Sequence, residues 1–200
     1  MNGRRYSAHA ATILARGMAA DDAATFLAAH AEGAQGRRQG AAAQATGQAF
    51  EALLERHHAR ARVLGVADVE HLHPPVLSRG GQPVQFIGRS GVDYQGVLSG
   101  GRAVYIEAKS AGRGRLPLVD DGSPRFDGVK RHQRAALDRC VELGGVALLA
   151  VRFVRQENRQ PVESVYVVPW ENVRHLASVG PEDCAGWELA GETYLSRWAA

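Results

Sequence analysis

Ser90-Gly-Val-Asp-Tyr-Gln-Gly-Val-Leu-Ser-Gly-Gly-Arg-Ala-Val-Tyr-Ile-Glu-Ala-Lys109 reads as a β-hairpin. Asp93, Tyr94, Val97 and Leu98 fall in the first strand, Ser99-Gly100-Gly101 in the turn, and Arg102 to Lys109 in the second strand. A three-residue hairpin loop with Gly in its last position is common because Gly tolerates φ > 0. Counting outward from that loop sets Leu98 opposite Arg102, Val97 opposite Ala103 and Asp93 opposite Glu107. Side chains alternate along a strand, so Glu107 and Lys109 share one face while Val104, Ile106 and Ala108 take the other. Three charged groups then gather on one side of the ribbon. Two carboxylates directly opposite each other repel, and a hard divalent cation with oxygen ligands removes that repulsion. A two-residue loop or a bulge would turn Asp93 to the other face. The plainer reading of the same charges is a surface salt-bridge ribbon.

The composition draws the eye to Lys109. Of 24 Lys+Arg residues in 200, only Lys109 and Lys130 are lysines. A Lys beside Glu107 in so Arg-rich a chain suggests a need for a compact, mobile ammonium. The formal charge of +3 permits a polyanionic partner without demanding one. Cys140 and Cys184 are far apart, lack metal-type spacing and read as reduced thiols of a cytoplasmic protein. The N-terminus carries no long apolar run, so neither a signal peptide nor a transmembrane helix is expected.

Residues 1–40 differ from the rest. They are rich in Ala, Gly and Arg, with two short helices expected at Ser7–Arg16 and Asp21–Ala31 and a linker at Gly33–Gly40. This extension reads as a helical pair, a DNA-touching arm or a partly disordered tail. From Ala42 to Leu64 the spacing predicts a helix. Phe50, Leu53, Leu54, His57, Ala61 and Leu64 lie on one face, Glu51, Glu55, His58 and Arg62 on another, and Gly65 ends it. Val66–Val76 and Val84–Ile87 read as extended, with breaks at Pro74-Pro75 and Gly80-Gly81. After the hairpin come a loop (Ser110–Pro124), a helix (Asp127–Leu143) closed by Gly144-Gly145, and an apolar run at Val146–Phe153 that suits a central buried strand. Ser164–Val168 reads as another strand, and Pro169-Trp170-Glu171 leads into a short helix to Leu176. The order argues for an α/β domain with a mixed sheet.

Other candidate groups are weaker alone. Glu51 beside Glu55 reads as a solvated helix face, and Gln133 as polar helix surface. Arg113 and Arg115, with Lys130, Arg131 and Arg134, form a basic cluster just after the acidic hairpin, as a phosphodiester substrate would need. Taken without the hairpin, that cluster is ordinary solubility charge. His71 and His73 lack the third ligand that a zinc site requires. No Ser or Cys nucleophile motif and no phosphate-binding loop is present.

Gly47-Gln-Ala-Phe-Glu51, Gly91-Val-Asp-Tyr94 with Gly96, Ile106-Glu-Ala-Lys109, Leu116-Pro-Leu118, His132-Gln133 and Gly144-Gly145-Val146, taken in order, resemble the RecU-type Holliday junction resolvases of the PD-(D/E)XK nuclease superfamily. The likeness covers residues 44–176. It implies a restriction-endonuclease-like PD-(D/E)XK core, a mixed central sheet flanked by helices, within a nuclease domain over residues 41–200. It implies a homodimer that cuts branched DNA, the four-way junction, with Mg²⁺, for which Mn²⁺ can substitute. Asp93, Glu107 and the main-chain carbonyl of Ala108 would then be metal ligands, and Glu51 would hold a second metal or a metal-bound water. Lys109 would orient the attacking water, and Gln133 would support the site. DNA contacts would fall to Arg89, Arg113, Arg115, Lys130, Arg131, His132 and Arg134. The chain departs from the family in its first forty residues, in a short stretch at Gly80-Gly81 to Gly88 where the family carries a protruding stalk, and in a longer loop at Val119–Arg125. Two rival readings stand beside this one: another DNA nuclease of the superfamily (repair, end-processing or restriction-like), and a DNA-binding protein without catalysis.

Overall fold

Helix α1 occupies residues 47–63 of the computed structural model, which describes residues 47–72, 76–79, 82–86, 91–112, 114–123, 126–158 and 160–199. Gly65 takes φ 67°, its N–H bonds to Arg62 O, and the Val66 N–H returns to Ala61 O. That closes the helix where the sequence expects it. Strand β1 (Ala67–His71) follows, then a small hairpin of β2 (Val76–Arg79) and β3 (Gln82–Phe86). Next come β4 (Tyr94–Leu98), β5 (Ala103–Ala111), the short β6 (Leu116–Pro117) and helix α2 (Arg131–Glu142). Strands β7 (Val146–Glu157) and β8 (Gln160–Pro169), helix α3 (Trp170–Val173) and β9 (Ser178–Val179) complete the regular elements, ahead of two 3₁₀ turns at Pro181–Cys184 and Tyr194–Arg197. The expected extension at 1–40, with its two helices and linker, lies outside the described residues, as do Arg89, Arg113, His73 and the Gly80-Gly81 break.

The central sheet has the order β1-β4-β5-β7-β8. Only β5 and β7 are parallel, because the chain crosses over through α2 between them. The other neighbours are antiparallel. The fold is therefore α/β with a mixed central sheet flanked by helices. On one face α1 buries Phe50, Leu54 and Ala61 against Val104, Ile106, Leu148 and Ala150. On the other, α2 buries Leu137 and Cys140 against Leu149, Val151 and Phe153. Each of the larger aliphatic and aromatic side chains among them contributes roughly 1.5–3 kcal/mol on leaving water. Residues 146–153 of β7 are buried without interruption, as a strand covered on both faces must be. No helix among the described residues is long and apolar enough to cross a membrane.

The hairpin register is the one read from the sequence. Tyr94 pairs with Ile106, Gly96 with Val104 and Val97 with Ala103. The Leu98 N–H bonds to Arg102 O, leaving Ser99–Gly101 as the loop, with Gly101 at φ 88°. Gly96 is needed for another reason: a Cβ there would stand 2.0 Å from Asp68 O on β1.

Several boundaries differ from expectation. The helix expected from Asp127 begins at Arg131, because Val129 donates its N–H to Pro117 O and holds the preceding residues against β6. The strand expected at Ser164–Val168 spans Gln160–Pro169, and β7 runs on to Glu157, because the two continue as a paired ribbon past the end of β5. Pairing of β6 with β9 was not foreseen, and the helix expected to reach Leu176 ends at Val173. His58, placed on the polar face of α1, is buried.

Candidate metal centre

Strand β4 leaves the β5 ladder at Tyr94, and Asp93 takes over where the ladder stops. Its Oδ2 accepts the Ala108 N–H at 2.9 Å, while its own carbonyl accepts the Leu72 N–H at 2.8 Å. The aspartate is thus fixed from both sides. One step past Tyr94–Ile106, the register sets Asp93 beside Glu107. A strand residue points its N–H and C=O toward the same neighbour, so the Ala108 carbonyl opens toward Asp93 as well.

Glu107 is fully buried on the α2 side of β5. Its Oε1 contacts the Lys109 ammonium. Its Oε2 is buried with no hydrogen-bond partner. Burial pushes the Glu107 carboxyl up to about 8; the Lys109 ammonium opposes this, and the Asp93 carboxylate adds to it, by its charge and by accepting a hydrogen bond from the neutral form. A buried carboxylate with an orphaned oxygen costs stability unless a cation completes it. The donors here are carboxylate and carbonyl oxygens, which suit Mg²⁺ or Mn²⁺ better than the nitrogen and sulfur sets that favour zinc. The residues present therefore fit a hard divalent cation, held by Asp93, Glu107 and the Ala108 carbonyl.

Glu51 stands apart. It is an exposed residue of α1, which packs on the opposite face of the sheet. Among the described residues no three His, Cys, Asp or Glu side chains converge at metal-binding distance. Gln133 is buried, and its Oε1 accepts the Lys130 N–H at 2.9 Å, capping α2. The sequence read it as polar surface or, through the family likeness, as support for the site; capping is its visible contact.

The basic residues divide in two. Lys130 and Arg131 are exposed at the start of α2, and His132 is half-buried beside them. Nearby, the Gly122 N–H, aided by the Arg131 N–H and the Arg131 and Lys130 charges, holds the Asp120 carboxyl below its ordinary value. Arg115 instead engages Glu182, Asp183 (2.9 Å) and Ser178. Arg134 donates to the carbonyls of Arg174 (2.5 Å) and Leu118 (3.4 Å) and lies over the Trp170 ring. Arg115 thus ties the start of β6 to β9 and the 181–184 turn, and Arg134 ties α2 to the residues that follow β6 and α3.

The sequence reading missed a polar cluster on the α1 face. His58 Nε2 pairs with Tyr194 OH, 136 residues away. The His58 ring meets Tyr94 edge-on, and His71 stacks on the same tyrosine. Burial, followed by the charges of His57 and His71, lowers His58 to about 4. Burial, then Glu51, Glu55 and Asp93, raises the Tyr94 phenol. The adjacent histidines were visible in the sequence, but a partner 136 positions away leaves no local trace. Both cysteines are free and buried, and burial pushes the Cys184 thiol up to about 12.

No family model matches this sequence, and no curated protein matches it.

Proposed function

We propose that the chain is a Mg²⁺-dependent endodeoxyribonuclease with a PD-(D/E)XK core, resolving four-way DNA junctions as a homodimer in the cytoplasm. The observation that carries this reading is the buried Glu107 beside Asp93, with Lys109 against one oxygen and no partner for the other. Buried carboxylates shifted this far from their ordinary range concentrate at functional sites.

When bound, Mg²⁺ supplies a Lewis acid for the phosphoryl oxygen and a water of lowered pKa. Asp93, already fixed by the Ala108 and Leu72 amides, needs no reorganisation to serve as a ligand. Glu107 holds the cation from the buried side, where water does not compete. Lys109 reaches the same place on a flexible stem; it orients the attacking water and balances charge on the phosphate. Gln133 fixes the start of α2, with exposed Lys130 and Arg131, and these two cations hold the DNA backbone in this reading. Two copies related by a two-fold axis would present paired sites to a roughly two-fold junction. The β2–β3 hairpin, a two-stranded element outside the central sheet, occupies the sequence position of the family's stalk; the stretch is short there, which counts against selection of the junction, so the choice of branched DNA rests on the family likeness.

Cleavage of a synthetic four-way junction beside linear duplex, with Mg²⁺ or EDTA, tests this. Paired symmetric nicks in the junction alone, only with Mg²⁺, are the expected result. Cutting of linear duplex as well would replace the resolvase by another nuclease of the superfamily, with a repair, end-processing or restriction-like role. Tight binding without cutting would leave a DNA-binding protein.

A further inference from the structure

The proposed site leaves unexplained why a polar cluster stands at the same end of the sheet on the α1 side. His71 is the last residue of β1 and pairs in register with Tyr94. Its ring stacks on the Tyr94 ring, with centroids 4.6 Å apart and planes at 26°. Its Nδ1 lies 3.4 Å from Glu55 Oε1. Glu55 is one turn beyond Glu51, so both acids share one stripe of α1. The residue after His71, Leu72, donates its N–H to the carbonyl of Asp93. One imidazole thus joins the helix that bears Glu51 to the strand end that bears Asp93.

We infer that His71 is a positioning residue of the cation site, whose contacts with Glu55 and Tyr94 set α1 against β4 so that Glu51 is held toward Asp93. The inference rests on the nuclease reading and names how that reading's outlying carboxylate is brought to bear. Tyr94 supports it by geometry: its ring carries His71 stacked on one side and the His58 edge on another, and the residue just before it in the chain is Asp93. Docking of α1 does not need the His71–Glu55 pair, because Phe50, Leu54 and Ala61 already bury its apolar stripe. Glu55 is 55% exposed, and exposed ion pairs add little to stability. The pair sits where it can orient the helix rather than hold it.

Mn²⁺ binding to the full chain, followed by the resonance of free Mn²⁺ alongside metal-free melting curves, tests the inference. Wild type, Asp93→Asn, His71→Leu and Glu55→Gln are compared. Asp93→Asn should lose binding. His71→Leu should weaken it roughly tenfold, the lower end of what loss of an outer support costs a metal site. Glu55→Gln should weaken it less, in the same direction, with its metal-free melting midpoint unchanged. Should Asp93→Asn fail to bind while His71→Leu and Glu55→Gln bind like wild type, the His71 inference falls and the cation site stands. A wild type that binds no Mn²⁺, or an Asp93→Asn that binds like wild type, removes the nuclease reading and this inference with it. A purely structural His71 would lower the melting midpoint in His71→Leu and leave Glu55→Gln at wild-type affinity, which also overturns it. If His71→Leu does not fold, Glu55→Gln decides, since its carboxylate is exposed.

Discussion

Glu107 and His58 are both buried titratable groups packed against one sheet, on opposite faces, and burial drives both toward their neutral forms. They differ in what meets them. His58 has the Tyr194 hydroxyl on its Nε2, so its neutral ring is satisfied by the fold. Glu107 meets Lys109 with one oxygen, while its other oxygen finds no donor among the described residues and its carboxyl faces only the neighbouring Asp93 carboxylate. A satisfied buried group holds a structure together. An unsatisfied one lowers stability and persists where a ligand completes it. The comparison assigns Glu107 to chemistry and the His58–Tyr194 pair to architecture.

The largest expected effect breaks the comparison at Glu107. Glu107→Gln should abolish Mg²⁺-dependent cleavage, as should Asp93→Asn, while junction binding in EDTA survives. Glu107→Gln should also stabilise the metal-free protein. The folded carboxyl titrates near 8 against 4.5 when unfolded, so between those values the folded state holds the extra proton. Wild-type stability therefore falls as pH rises through that window. The variant should melt several degrees above wild type at pH 8, each kcal/mol being worth about 2–4 °C in a chain of this size. The gain should vanish at pH 4.5, and wild type should recover it on adding Mg²⁺. A Glu107→Gln protein that melts below wild type at pH 8 would make Glu107 a structural group like His58.

Lys109→Met comes next. It removes the ammonium from Glu107 and the group that orients water, and cleavage should fall by about 10²–10⁴-fold, the range for a positioned proton-handling group. Binding of the uncut junction should change little. Single-turnover cleavage under saturating enzyme separates the two.

The α2 face was legible because its information is local. A glycine turn set the hairpin register, and the two-residue period then put Glu107 and Lys109 on one face. The buried run of β7 was visible for the same reason. The α1 face was not, because its decisive contacts join residues far apart in the chain. His58 sits on what reads as a polar stripe, and only Tyr194, 136 residues on, makes burial tolerable. Likewise Arg115 counts as a free cation until Glu182 and Asp183 fold back onto it. Helical periodicity reports which positions face inward on average, and a single polar residue with a remote partner escapes it. The length of β8 escaped for a related reason: Gln160, Pro161 and Glu163 carry little strand signal, yet residues 160–163 pair along the ribbon.

His58→Phe sharpens the architectural half. It leaves the Tyr194 hydroxyl buried without a partner, which should cost about 1–3 kcal/mol at neutral pH. Wild-type His58 titrates near 4 in the fold against 6.5 unfolded. The unfolded chain takes up the proton first, so stability drains away as pH falls from 6.5 to 4. The variant should lack this part of the acid sensitivity. Melting curves at pH 7, 6 and 5 give the slope, and an unchanged slope would mean that His58 is not the buried group that fails in acid. Mg²⁺-dependent cleavage at neutral pH should follow stability alone.

The smallest effect belongs to Gln133, which touches both halves of the comparison. Its carbonyl oxygen caps α2, a structural duty, while the family likeness gives it a duty toward the site. Gln133→Ala should cost about 1 kcal/mol, the usual net worth of one hydrogen bond, or a few degrees in melting. Gln133→Glu separates the duties, because it keeps an acceptor for the Lys130 N–H and, early in the helix, a favourable charge, but loses the amide donors. It should melt like wild type and yet cleave about tenfold more slowly, as when an outer support of a metal site is removed. If Gln133→Glu recovers both stability and rate, Gln133 is a cap alone, and the reaction belongs to Asp93, Glu107 and Lys109.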